Sequence, residues 1–195
     1  MMSWADCAAY ADWAALRPMT ELEFEKACRG DQPAGSGEYP WGSLTITAAT
    51  GITNSGAANE GATPASANCV YNNVLSGPLR AGVFATASSN RQSSGATYYG
   101  IMDMGGNEDE RVINVGTNAG RAFNGTHGDG ALDVNGVADA TTWPSSATAD
   151  GTGERGGQKG SIPDSFVRVS DRFSACNSIL GRVSSVGGRA VRTAP

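Results

Sequence analysis

Arg155-Gly156-Gly157, Arg168-Val169-Ser170-Asp171-Arg172 and Gly187-Gly188-Arg189-Ala190-Val191-Arg192 are three blocks marked by arginine and glycine near the end of the chain. They enclose two segments, 158–167 and 173–186, that follow neither a helical nor a strand period. Glycine permits tight backbone with positive φ, and arginine ties loops together through several donors at once. The blocks therefore read as framework. The segments between them mix Ser, Ile, Pro, Phe, Cys, Leu and Val, and read as a face displayed by that framework.

Outward from this region, the length suits one domain, residues 1–195. Glycine is abundant and charge sparse, which predicts many turns and little regular structure. A formal charge of −5 argues against a nucleic-acid partner, because phosphate contact needs a basic surface. No long apolar run is present, so no transmembrane span is expected, and no charged-then-apolar leader marks a signal peptide. Cys7, Cys28, Cys69 and Cys176 lie far apart with no CxxC pair, which argues against structural zinc. Cys7 and Cys28 read as buried free thiols on helices, with a disulfide left open.

The apolar spacing of Trp4, Cys7, Ala8, Ala11, Ala14 and Ala15 predicts a helix over 3–16, capped by Ser3 and ended by Arg17-Pro18. Thr20 with Glu23 is a capping box, Met19 with Phe24 a hydrophobic staple, and Gly30 a C-terminal cap for a second helix to about Cys28. Residues 45–67 read as irregular loop, and 120–144 as a Gly/Asp/Asn loop carrying Trp143. Strands are expected at 83–85, 111–115, 167–169 and 190–192. The stretch 98–104, the two helices, Trp41 and Trp143 are the expected core.

Five motifs in order carry a resemblance. They are Arg17-Pro18-Met19-Thr20-Glu21-Leu22-Glu23-Phe24-Glu25, Tyr39-Pro40-Trp41-Gly42, the run from Tyr99 to Asn107, Arg155-Gly156-Gly157 and Gly187-Gly188-Arg189. Together they resemble the formylglycine-generating-enzyme (sulfatase-modifying factor) family. The resemblance implies an α+β chain with the C-type lectin fold of that family: two helices, short antiparallel strands and much irregular loop. Formylglycine-generating enzymes carry two active cysteines shortly after the Arg-Gly-Gly block. The matching positions here are Ser161 and Phe166, and neither can supply a thiolate. Glu108-Asp109-Glu110 stands where the family usually has apolar-Trp-Glu, and Lys159 where it usually has an aromatic residue.

The blocks Gly120-Arg121-Ala122-Phe123, His127-Gly128-Asp129-Gly130, Arg168 to Arg172 and Arg189 to Pro195 are similar to a narrower group, the variable proteins of diversity-generating retroelements. In that group, mutation falls on template adenines, often within asparagine codons. Randomising both adenines of AAC cannot yield Gln, Lys, Glu, Met or Trp, and residues 160–186 contain none of these five. The resemblance implies a non-enzymatic, monomeric display protein with a variable region over about 158–188 and a protein or cell-surface ligand. The alternative is an oxidase of the formylglycine-generating type. The expected ligand-binding positions are Gln158, Gly160, Ser161, Ile162, Pro163, Phe166, Phe173, Ser174, Cys176, Asn177, Ser178, Ile179, Leu180, Val183, Ser184, Ser185 and Val186. Phe173, Ile179 and Leu180 are the expected apolar anchors, set among small polar groups as in a paratope.

Family members also bind calcium around the aromatic-Gly-Asn block. Here the resemblance implies carboxylates from Asp103 and Glu110, with carbonyls from Gly106 and Glu108. Asp129, Asp133, Asn135 and Asp139 do not match an EF-hand loop and read as a turn-rich loop. His127 reads as a hydrogen-bonding loop residue.

Overall fold

A computed structural model describes residues 1–72, 74–75, 77–157, 159–160 and 162–194. The element order is α1 (Trp4–Trp13), β1 (Arg17–Pro18), α2 (Glu21–Arg29), β2 (Gly51–Thr53), β3 (Gly61–Thr63), β4 (Asp109–Ile113), α3 (Asn118–Arg121), β5 (Thr152–Arg155), a 3-10 turn (Asp164–Val167), β6 (Val186–Gly188) and β7 (Ala190–Val191). The strands form small sheets, and the pairs β1–β7, β2–β3 and β4–β5 are antiparallel. The chain divides into two compact units. The first comprises Met1–Phe24, Glu110–Arg155 and Arg172–Pro195; the second comprises Glu25–Asp109 and Gly156–Asp171.

In the first unit, Ser3 caps α1: its hydroxyl accepts from the Asp6 amide at 3.1 Å, and Asp6 reaches back to the Ser3 amide at 2.8 Å. The helix stops at Trp13, short of the expected Leu16, because Ala15 turns left-handed at φ 53°. Arg17–Pro18 then runs extended and pairs with β7, Arg17 opposite Val191. α1 buries Trp4, Ala8 and Ala11 against Ile113, Trp143 and Ala149. The Trp4 indole N–H donates to the Pro144 carbonyl at 2.9 Å. The larger sheet has the order β5-β4-β6, with Arg111 opposite Glu154 and Ile113 opposite Thr152. The expected loop over 120–144 follows α3, which Thr117 caps by accepting from the Gly120 amide at 3.0 Å.

The capping box of α2 is present, with Thr20 and Glu23 bonded in both directions at 2.9 and 3.2 Å. Gly30 ends the helix at φ 71°. A Cβ there would lie 2.1 Å from the Tyr98 ring, so the site requires glycine on two grounds.

The described residues of the second unit include two apolar clusters. One contains Ala49, Ala67, Val70, Leu79, Val83 and Phe84; the other contains Tyr39, Trp41, Cys69 and Val167. Four expectations change here. Residues 45–67 contain the β2–β3 hairpin, with Gly51 opposite Thr63, closed by a turn through Asn54 at φ 52°. Residues 83–85 are turn and not strand, since Val83 and Ala85 donate back to Arg80 and Gly82. Residues 167–169 leave a 3-10 turn and are not a strand, although Val167 and Val169 are buried. Within 98–104, Met104 is buried but Tyr98, Tyr99 and Ile101 are exposed, because Gly100 turns the chain at φ 78°. Gly105-Gly106-Asn107 is the expected turn. Asn107 closes it by bonding both backbone groups of Leu79, at 2.9 and 3.0 Å.

Among the described residues the cysteines are free thiols. Cys28 and Cys69 are buried, and desolvation pushes the half-buried Cys7 thiol up to about 11. No helix among the described residues is long and apolar enough to cross a membrane.

Candidate functional site

The first unit carries the segment 173–186. Phe173 is 76% exposed and Leu180 52%. Cys176, Asn177, Ser178 and Ser184 are also exposed, and Ser174, Ile179 and Val183 are half-buried. Ser185 and Val186 depart from the expected binding surface. Both are buried, because Val186 begins β6 and its amide turns back onto Val183.

Arginines hold this segment at both ends. Glu21, at the start of α2, has no exposed surface. Its carboxylate accepts from Arg172 at 2.8 Å and from the Val115 amide at 3.1 Å, and it faces Arg155 at 3.4 Å. The Arg155 guanidinium also lies 5.0 Å from the centre of the Phe24 ring. At the far end Arg189 donates to Glu110 at 2.9 Å. Between these ends, Arg182 grips Asp6 through two bonds at 2.6 and 2.8 Å. That guanidinium holds the Asp6 carboxyl well below the usual carboxylate range. Asn114 donates to the Cys176 sulfur at 2.9 Å.

The second unit carries the other segment. Gln158 and Ser161 lie outside the described residues. Gly160, Ile162 and Phe166 are half-buried and Pro163 is exposed. The Tyr39 hydroxyl donates to Asp164 at 2.5 Å and ties the 3-10 turn to the Tyr39–Trp41 stack. Desolvation and the neighbouring carboxylate push the Tyr39 hydroxyl up to about 12. Neither Phe166 nor Ser161, the positions that the resemblance matches to the family's two cysteines, carries a thiol.

The carboxylates of the expected calcium set each have a protein partner. Asp103 accepts from the Gly82 amide at 2.9 Å, Glu108 pairs with Lys159, and Glu110 pairs with Arg189. Gly106 sits at φ 75°, where a Cβ would meet Cys69 and Val70 at 2.4 Å, so its role in the turn is steric. Among the described residues, the acids that come together are Asp12, Asp129 and Asp139 of the first unit. Asp12 is buried, and its two oxygens accept the Asp129 and Asp139 amides at 3.1 and 2.9 Å, tying the loop to α1. Asp133 accepts the Asn135 and Val137 amides at 2.8 Å, as in an ordinary turn. His127 accepts from the Thr193 amide at 3.0 Å.

Sequence reasoning did not single out Glu21 and Glu110 as partners of the framework arginines, nor Glu154 and Asp6 as partners of Arg111 and Arg182. The available signal was chemical: arginines in a core region need buried carboxylates, and Glu21 stands in an acidic first helical turn.

The description "sulfatase-modifying factor enzyme 1-like domain" matches residues 1–192. Short stretches are similar to hercynine oxygenases. The enzyme of Mycolicibacterium thermoresistibile is 45% identical over 49 residues, covering 25% of this chain and 11% of the relative. That of Mycobacterium tuberculosis is 50% identical over 42 residues, covering 21% of this chain and 10% of the relative. The chain thus spans about a tenth of the length of these relatives. No solved structure matches.

Proposed function

Because the chain belongs to the sulfatase-modifying factor enzyme 1-like family, we propose that it turns that family's frame to ligand binding, as a variable protein of a diversity-generating retroelement with a C-type lectin fold. The observation that carries this reading is the state of residues 173–186. Arg172 and Arg189 are anchored to Glu21 and Glu110, while Phe173 and Leu180 stand in solvent between them. Exposed apolar side chains among small polar ones provide anchors within a hydrogen-bonding field, which suits a protein or cell-surface partner. Ser161 and Phe166 remove the thiolate pair that formylglycine chemistry requires.

A second reading, an oxidase of the formylglycine-generating type, draws on the family match over residues 1–192. One experiment separates the two. The purified chain, loaded with copper, is incubated with a cysteine-containing peptide under air, and the peptide mass is followed. The binding reading predicts an unchanged peptide; conversion of the cysteine to an aldehyde selects the enzyme. Sibling copies of the gene supply the positive arm. Their differences should cluster between residues 158 and 188 and spare Glu21, Arg155, Arg172 and Arg189, whereas scattered differences contradict display.

A further inference from the structure

Beneath the displayed segment of the first unit lies a buried pair that the account so far leaves unused. Arg111 on β4 and Glu154 on β5 are cross-strand partners, 1% and 4% exposed, with their charges 3.0 Å apart. Each touches the segment. The Arg111 guanidinium donates to the Gly181 carbonyl at 3.5 Å. Glu154 accepts from the Asn177 side chain at 3.3 Å, and its backbone amide donates to the Ser174 carbonyl at 2.9 Å. Next to it, a Cβ on Gly153 would sit 1.9 Å from the Ala175 carbonyl, so the segment's backbone lies directly on β5.

Burying two charges is costly, and apolar replacements of such pairs are often no less stable. Stability alone therefore gives no reason for an ion pair at this place. Its contacts give one. We propose that Arg111 and Glu154 are positioning residues: they form the seat that holds residues 174–181 in one backbone shape, whatever side chains stand at 173, 178 and 180. Asn177 is then an anchor to the seat and not a ligand contact. Changes at Phe173, Ser178 or Leu180 alter contact chemistry, whereas a change at Asn177 alters shape. This inference rests on the binding reading for its purpose but not for its test.

The test is hydrogen exchange of the full chain, followed by mass spectrometry without any ligand. Glu154→Gln keeps the side chain's size and removes its charge. The amides of Ala175 and Asn177, which donate to the Arg172 and Ser174 carbonyls, should exchange about tenfold faster, while those of α1 stay within about twofold of the parent. Asn177→Ala changes an exposed residue, so folding is not at stake, and it should produce the same local rise. Unchanged protection of the amides at 175 and 177 in Asn177→Ala overturns the proposal. So does a rise spread evenly over the first unit in Glu154→Gln, which would mark the pair as merely structural. If Glu154→Gln does not fold, the Asn177→Ala result decides. Because no ligand enters, a failed exchange test leaves the binding reading standing, and a failed binding reading leaves the exchange pattern intact.

Discussion

Glu21→Ala should lower the stability of the chain by about 3–5 kcal/mol in urea denaturation, the range for removing one partner of a buried charge network. Glu21 is fully buried and answers two guanidiniums and one backbone amide. Truncating it leaves Arg155, whose side chain is 1% exposed, facing no carboxylate at that position. Arg172 fares differently. Its side chain is 48% exposed, so water takes over its solvation. The cost should therefore fall mainly on Arg155. Arg172→Ala, by the same reasoning, should cost less than Glu21→Ala. Equal losses from the two variants would show that the exposed arm carries as much as the buried one, against this account.

Trp4→Ala should cost a similar amount, about 3–5 kcal/mol, as large-to-small changes of buried aromatics do. Trp4 is 1% exposed and sits at the centre of the first unit's apolar cluster. Its removal opens a cavity beside Ala8 and Ala11, which are too small to fill it. It also strips the Pro144 carbonyl of its indole donor. Trp4→Phe keeps much of the volume and loses the donor, so its loss should be clearly smaller. Thermal or urea midpoints of the two variants measure the division. If Trp4→Ala costs less than about 1 kcal/mol, the core has been misplaced.

What the sequence disclosed depended on range. The α2 capping box needs only Thr20 and Glu23, three residues apart, and was legible from them. The arginine blocks were legible as framework because guanidinium chemistry announces itself, but their partners were not. Glu21 lies 134 residues from Arg155, and no local pattern joins them. The β2–β3 hairpin was missed because its strands are three residues each and built of Gly, Ala, Ile and Thr, too short to show alternation. The exposed side chains of Tyr98 and Tyr99 were misread as core because composition cannot reveal that Gly100 turns the chain outward. On the candidate face, Phe173 and Leu180 are exposed while Ile179, the third expected anchor, is half-buried. Ser185 and Val186 are buried, since the sheet begins earlier than the glycine pair suggests.

A permissive face on a fixed frame is most directly tested by changing several face residues at once. The triple variant Phe173→Ser, Ser178→Tyr, Leu180→Asp alters size, polarity and charge together. The account predicts a urea midpoint corresponding to a loss within about 1 kcal/mol of the parent, because exposed positions each contribute only tenths. A loss of about 3 kcal/mol or more, the size of a core truncation, would contradict it.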